Sequence, residues 1–128
     1  MIDIDNDGDL DIITNEFNDR PQLLISNLTE KKKINFLKIK LFGRTSNRNG
    51  LGAKVSVLTA GKRQMQINDG KSGYLAQSSI PMYFGLGTAT KVDAVEVQWP
   101  SGIIQRTQAQ VEPNQTLTLS EPDDGRIP

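Results

Sequence analysis

Apolar and polar residues alternate along much of the chain, and a period of two is typical of β-strands with one buried face. Residues 37–41 read Leu-Lys-Ile-Lys-Leu, residues 95–99 read Val-Glu-Val-Gln-Trp, and residues 117–119 read Leu-Thr-Leu. Residues 53–59 and 63–67 alternate in the same way around an Ala-Gly-Lys turn, which predicts a β-hairpin. Because no segment carries the apolar stripe of an amphipathic helix, the pattern predicts an all-β fold, an antiparallel β-sandwich or barrel-like domain.

The chain contains no cysteine and no histidine. Their absence excludes thiol nucleophiles, thiolate and imidazole metal sites, and catalytic triads that use histidine. A glycosidase that uses a pair of carboxylates stays open, but most of the available residues fall at turns or on the solvent face of a strand rather than in an apolar pocket. We therefore predict a protein that is not an enzyme. Those carboxylates are Asp69, Asp93, Glu96 and Glu112.

The net charge of zero is the average of oppositely charged segments. Residues 1–30 hold eight acidic residues and one basic residue, a net charge of −7. Residues 31–120 hold thirteen basic and four acidic residues, a net charge of +9, and the last eight residues add −2. Such a split separates segments with different partners. The predicted parts are residues 1–30, a main domain at residues 31–121, and a flexible tail at residues 122–128, with the acidic stretch 121–125 frayed.

Residues 3–11, Asp-Ile-Asp-Asn-Asp-Gly-Asp-Leu-Asp, are the most informative segment of the chain. Calcium takes six to eight oxygen ligands, so a loop that binds it needs closely spaced carboxylates and a glycine at the sharp bend, here Gly8. The five carboxylates within these nine residues also repel one another unless a cation neutralises them. We predict calcium as the cofactor. Its predicted ligands are Asp3, Asp5, Asp7, Asp9 and Asp11.

Other interpretations of this acidic loop fit less well or stay open. Magnesium prefers to keep its waters over an all-protein cage. An EF-hand needs flanking helices and a bidentate glutamate at its twelfth position, where this chain has Thr14, and residues 10–14 have the pattern of a strand. A solvated acidic turn without any bound ion stays open.

The acidic loop has the pattern D-x-D-x-D-G-x-x-D and runs into a predicted strand. This pattern resembles the calcium loop of FG-GAP (VCBS-type) repeats, which lies between strands of β-propeller blades. The resemblance implies that residues 1–30 are the end of a propeller blade that precedes the main domain, with residues 22–26 as its final strand. A lone blade end cannot bury both of its faces, because repeat units are stabilised by their neighbours.

Six segments of the main domain, in order along the chain, carry a second resemblance. They are residues 35–41 (NFLKIKL), 46–53 (SNRNGLGA), 70–78 (GKSGYLAQS), 83–87 (YFGLG), 95–102 (VEVQWPSG) and 114–116 (NQT). These segments resemble the ASPIC/UnbV family, which follows FG-GAP repeats in the cartilage acidic protein-like family. The resemblance implies an exported or surface protein, calcium-dependent adhesion or binding, and no established catalytic activity. Tyr83 stands where relatives often carry histidine, so no role that needs an imidazole carries over.

Polar and aromatic residues beside these turns are candidates for a binding groove. Amide, guanidinium and aromatic groups together suit a sugar or an anionic glycan. Neighbouring residues have structural interpretations, since Gly50 and Gly52 permit a tight loop and Trp99 suits the core. The candidate binding residues are Asn47, Arg48, Tyr74 and Gln77.

The sequence thus predicts a non-catalytic, calcium-associated interaction or adhesion module, in which a basic β domain packs on acidic upstream propeller repeats of the parent protein. The alternative is a carbohydrate- or polyanion-binding module. Nucleic acid is not a predicted partner, because the basic residues are scattered along strands with few aromatics for stacking. Membrane insertion is not predicted either, because no apolar stretch approaches about 20 residues. We expect an extracellular, cell-surface or periplasmic location, with a signal upstream of residue 1.

Overall fold

The structure of the chain, a computed structural model, describes residues 1–73, 76–77, 81–107 and 110–123. Within these residues the chain forms eleven strands and one helix of a single turn, so the predicted all-β class is confirmed. The chain divides into two compact units, unit 1 (Met1–Ile34) and unit 2 (Asn35–Pro128). Across the described ranges, no helix is long and apolar enough to cross a bilayer.

Unit 1 is built around one short antiparallel hairpin. Successive residues of a strand point to opposite faces of a sheet. Ile13 and Leu23 lie opposite each other and are each 53% exposed, and the pair formed by Ile12 and Leu24 on the other face is exposed as well. The hairpin therefore leaves apolar side chains uncovered on both faces. The elements of unit 1 are β1 (Ile12–Thr14), β2 (Gln22–Leu24) and the helix α1 (Leu28–Lys31).

Unit 2 contains two larger sheets and one short ribbon. Its strands are β3 (Asn35–Phe42), β4 (Lys54–Thr59), β5 (Lys62–Ile67), β6 (Lys71–Gly73), β7 (Ala76–Gln77), β8 (Met82–Gly87), β9 (Ala94–Gln98), β10 (Ile104–Arg106) and β11 (Gln115–Ser120). One sheet has the order β11-β3-β8, the other has the order β10-β9-β4-β5, and β6 pairs with β7. The predicted hairpin is β4 and β5, joined at Ala60 and Gly61, which both have positive φ as tight hairpin turns require.

One strand pair departs from the antiparallel arrangement that the sequence predicts. β11 runs parallel to β3, with Leu117 opposite Ile39. Parallel neighbours cannot be joined by a tight turn and need a long crossover. β3 and β11 are the first and last strands of unit 2, so the strands between them form that crossover. Alternation of polar and apolar residues indicates the buried face of a strand but not its direction, which is why the pattern could not predict this pairing.

The inward faces of the two larger sheets form the hydrophobic core of unit 2. The apolar residues of segments 37–41 and 95–99 lie in it as predicted, and Leu37 has no exposed surface. Trp99 is 3% exposed, and its indole N–H donates a hydrogen bond of 3.0 Å to the Gln105 side chain. Trp99 is therefore a core residue, as its structural interpretation predicted.

Strand β8 is a part of the core that the hydrophobic pattern did not predict. Phe84 is fully buried opposite Leu37 of β3, and Leu86 is also buried. Gly85 and Gly87 alternate with these two side chains, and glycines at such spacing are typical of turns. The segment forms a strand despite its glycines because the side chains of Phe84 and Leu86 fill the core between the sheets.

The outer edge of β8 contacts the other sheet through side chains. Gln64 of β5 donates a hydrogen bond of 2.8 Å to the carbonyl of Gly85, and Gln66 donates one of 2.7 Å to the carbonyl of Tyr83. These glutamines share the inward face of β5, so the alternating Met65 lies on the outer face and is exposed. Amide donors satisfy edge carbonyls that an apolar side chain would leave without partners. The two glutamines therefore connect the edge strand β5 of one sheet to the edge strand β8 of the other, so this side of the sandwich resembles a closed barrel.

The residue after β11 is a structural anchor rather than part of a frayed tail. The Glu121 carboxylate is 1% exposed and accepts hydrogen bonds from the Arg44 and Ser46 amides at 2.7 Å, and from the Ser46 and Ser101 hydroxyls at 2.8 and 2.5 Å. Burial raises the pKa of this carboxyl, but the four hydrogen bonds outweigh burial and lower the pKa to about 2. The frayed interpretation was wrong at Glu121, and residues 124–128 of the predicted tail lie outside the described residues.

Candidate metal centre and ligand groove

The acidic loop is shaped by turns that aspartate, asparagine and glycine favour. Asn6 and Gly8 have φ of 62° and 96°, in the left-handed region that these residue types tolerate. The Asp5 carboxylate accepts a hydrogen bond of 3.2 Å from the Asp7 amide, and the Asp7 carboxylate accepts one of 2.9 Å from the Asp9 amide. Each aspartate thus fixes the backbone two residues ahead, which gives the loop its tight curvature.

Three of the five predicted ligands come together. One carboxylate oxygen from each of Asp3, Asp5 and Asp11 lies within 4.8 Å of the other two. Asp11 is buried and held by the Ile4 amide at 2.8 Å and the Ser26 amide at 2.9 Å. These three aspartates are the first, third and ninth residues of the loop.

Asp7 and Asp9 are oriented toward α1 instead. The Thr29 hydroxyl lies 2.7 Å from the Asp7 carboxylate and 3.3 Å from the Asp9 carboxylate, and the Thr29 amide donates to Asp9 at 3.0 Å. The pKa of Asp9 is lowered, chiefly by the polar side chain of Ser26 and also by the backbone and hydroxyl groups around Thr29, while burial acts in the opposite direction. These two aspartates brace the loop, and Thr29 is a partner that sequence spacing alone could not reveal.

The clustered oxygens fit a hard divalent cation. All three donors are carboxylates, the ligand type that calcium prefers. Charges within 4.8 Å of one another repel by roughly 3 kcal/mol or more per pair at an effective dielectric constant of about 20. Within the described residues, the buried Oδ1 of Asp9 also has no hydrogen-bond partner. The loop therefore concentrates negative charge and oxygen donors beyond what its own hydrogen bonds use.

Unit 2 carries a separate feature, a groove of about 470 Å³ beside the second half of β3. Apolar side chains such as Phe42, Leu51 and Met82 form part of its wall. The polar residues that line it come from β3, from the loop after it, and from the segment around β6 and β7. They are Lys40, Asn49, Asn68, Asp69, Lys71 and Gln77.

The four candidate binding residues do not share one site. Gln77 lines the groove, whereas Asn47 is engaged inside its own loop, where its side chain donates to the Leu51 carbonyl at 2.8 Å and accepts from the Leu51 amide at 2.8 Å. Arg48 is exposed on that loop, and Tyr74 lies outside the described residues. Asn47 is thus a loop-closing residue, and the groove residue Lys71 was not predicted as a binding residue.

Three of the four carboxylates considered for catalysis have local structural partners. Asp93 accepts a hydrogen bond of 2.9 Å from the Ala60 amide, and Glu96 accepts one of 3.0 Å from Arg63. Asp69 accepts one of 3.0 Å from the Lys71 amide. These contacts hold turns and a strand surface in place.

Comparison with known proteins places these features in context. The family model described as ASPIC and UnbV matches residues 43–126. Cartilage acidic protein 1 of Mus musculus is 33% identical over 130 aligned residues, and its counterpart in Homo sapiens is 34% identical over the same number. The alignments cover 97% of this chain but 19% of each relative, so the chain spans about a fifth of the length of these relatives.

Proposed function

The chain belongs to the ASPIC and UnbV family, and from that premise we propose that it is a non-catalytic interaction module of an exported protein, with an N-terminal unit ordered by calcium. The observation that carries the calcium assignment is the convergence of Asp3, Asp5 and Asp11 within 4.8 Å. The relatives bear the name of cartilage, an extracellular tissue, which supports an extracellular location.

Several features support an interaction role over catalysis. The chain lacks the thiol and imidazole groups of most nucleophilic and general-base chemistry. In unit 2, Asp69, Asp93 and Glu96 accept hydrogen bonds that hold turns and a strand surface in place. Interaction modules need a rigid body and an accessible surface, which a β-sandwich with a packed core supplies.

Unit 1 is proposed to be the end of an FG-GAP (VCBS-type) blade. Its hairpin exposes apolar side chains on both faces, and two strands alone are marginally stable in water. Upstream strands of the parent protein would pair with this hairpin and cover those faces, as neighbouring repeats do in propellers. The relatives are several times longer than this chain, which leaves room for such repeats. Those upstream repeats are the proposed partners of this module.

Asp3, Asp5 and Asp11 are the proposed calcium ligands. The bound ion would neutralise the loop charge and complete its coordination with waters or backbone carbonyls. Asp11 is already fixed by two backbone amides, so it presents a preorganised oxygen. Asp7 and Asp9 hold the loop to Thr29 and keep the three ligands close.

Titration calorimetry of the whole chain with calcium chloride tests this assignment. We expect binding with a dissociation constant of about 10⁻⁴–10⁻³ M, the range of extracellular calcium modules. Asp5→Asn removes a ligand charge but keeps the oxygen that the Asp7 amide uses, and should weaken binding at least about tenfold. Asp19→Asn, an exposed acid of unit 1 outside the acidic loop, is the matched control and should bind normally. Unchanged binding by Asp5→Asn, or no binding at millimolar calcium, would contradict the assignment.

A further inference from the structure

The groove beside β3 has the dimensions and chemistry of a ligand site. Its volume of about 470 Å³ falls within the range of about 300–1,000 Å³ seen for small-molecule sites. Its wall combines the apolar ring of Phe42 with amides and cations on the rim. A ligand that suits it must carry an apolar face, several hydroxyl groups and negative charge.

Two lysines give the groove its charge. The ammonium of Lys40 lies 5.3 Å from the centroid of the Phe42 ring, and Lys71 stands at the start of β6. Both residues are exposed, and the side chain of Lys40 extends over the Phe42 ring. The residues that line the groove include these two lysines and one acidic residue, Asp69, so the balance of charge at the groove is positive.

The rim also offers groups that both donate and accept hydrogen bonds. The amide side chains of Asn49 and Gln77 do both, and sugar hydroxyls do the same, so the two groups match in either direction. A ligand with only ionised oxygens accepts hydrogen bonds and cannot donate one to the amide oxygens. The combination of amides, lysines and an aromatic ring therefore favours a ligand with charge and hydroxyls on one ring.

The wall that carries these groups is already rigid. The Asn68 side chain donates hydrogen bonds to the carbonyls of Asn49 and Gly50 at 2.8 and 3.2 Å, which ties the end of β5 to the loop after β3. The two hydrogen bonds between the Asn47 side chain and the Leu51 backbone stabilise the same loop. A preorganised wall lowers the entropy cost of binding.

The sheet that continues from the groove carries positive charge as well. The twenty residues of β3, β8 and β11 include Lys38 and Lys40 and no carboxylate. On the same face, Phe36 and Tyr83 stack with ring centroids 5.7 Å apart, and Lys38 lies 5.2 Å from the Phe36 ring. A linear ligand can thus extend from the groove along β3 and meet cations and rings in alternation.

We propose that this groove and the adjoining face of β3 bind an acidic oligosaccharide, a chain of sugars that carry carboxylates. The carboxylates pair with Lys40 and Lys71, a sugar ring packs on Phe42, and the hydroxyls bond to Asn49 and Gln77. This proposal rests on the proposed interaction role and names its ligand. It uses unit 2, whereas the calcium assignment uses unit 1, so each can fail without the other.

Titration of the whole chain with a galacturonic acid oligomer tests the proposal, at low salt and with a chelator present so that calcium plays no part. The double variant Lys40→Gln with Lys71→Gln should lose about tenfold or more in affinity. The matched control, Lys54→Gln with Lys62→Gln, removes the same charge elsewhere in unit 2 and should change affinity less than twofold. The side-chain amide signals of Asn49 and Gln77 should shift on binding in the NMR spectrum.

Three comparisons separate a built site from general attraction of anions. The methyl-esterified oligomer keeps the rings but loses the charge and should bind at least about tenfold more weakly. Poly-glutamate keeps the charge without sugar rings, and equal binding of poly-glutamate would overturn the proposal. Equal losses in the two double variants, or no binding of the acidic oligomer, would overturn it as well. Retained sugar binding in Asp5→Asn would show that the two proposals stand on separate sites.

Discussion

The two units of this chain bury their apolar residues in opposite ways. In unit 2, strands in which polar and apolar residues alternate enclose Leu37, Phe84 and Trp99 between two sheets. In unit 1, Ile13 and Leu23 alternate just as regularly, but no second layer covers them within the described residues. The same local pattern therefore produces a self-sufficient core in one unit and an incomplete surface in the other. Alternation predicts strands, and only the number of layers decides whether they are stable alone.

Truncation of one apolar side chain in each unit tests this contrast with the largest expected effect. Phe84→Ala should lower the free energy of unfolding of unit 2 by about 3–5 kcal/mol, because a fully buried ring leaves a cavity. Leu23→Ala should cost less than about 1 kcal/mol, since half of that side chain is exposed already. Urea titration followed by Trp99 fluorescence measures the first, and circular dichroism the second. Similar losses for both would contradict the contrast.

The carboxylate of Glu121 should stabilise unit 2 in a pH-dependent way. Its pKa is lowered to about 2 in the folded state, so its contribution is present above about pH 4.5 and is lost as the pH falls toward 2. Glu121→Gln should cost about 2–3 kcal/mol at pH 7, because hydrogen bonds to a buried charge are lost. The gap between the two proteins in urea titrations should shrink steadily from pH 4.5 to 2.

Asp123→Asn is the control for this measurement, since the Asp123 side chain is 82% exposed. Its urea midpoint should follow that of the unaltered protein at every pH. A gap between Glu121→Gln and the unaltered protein that stays constant down to pH 2 would show that the anchor does not act through its charge.

The smallest expected effect concerns the link between the acidic loop and α1. Thr29→Val removes the hydroxyl that lies 2.7 Å from the Asp7 carboxylate and should destabilise unit 1 by about 1 kcal/mol. Hydrogen exchange of unit 1 amides, including that of Ser26, should speed up while exchange in β3 and β9 stays unchanged. Thr29→Ser keeps the hydroxyl and should behave like the unaltered protein. Faster exchange in both units would contradict the independence of unit 1.

Local periodicity accounts for what the sequence could predict of the fold. The strands β3 and β9 alternate cleanly, and the acidic loop has a spacing that brings Asp3 and Asp11 together. In each case the residues that form the sequence pattern are the same residues that form the strand or the cluster. The all-β class followed from these segments alone.

What the sequence could not predict depends on partners distant in the chain. Gln64 turns inward because it bonds to Gly85, and Glu121 is buried because it binds the loop at Ser46. Asp9 faces α1 because Thr29 lies there, twenty residues away. Likewise, Lys40 and Lys71 meet at the groove through the fold of unit 2. Such long-range pairings leave no periodic signal.

The parallel pairing of β3 with β11 governs the order in which unit 2 can fold during synthesis. The middle strand of its smaller sheet is made first, yet one of its two neighbours emerges from the ribosome last. In the nascent chain, one backbone edge of β3 therefore stays without its strand partner until residues 115–120 appear. The hairpin of unit 1 closes over only a few residues and has no such delay.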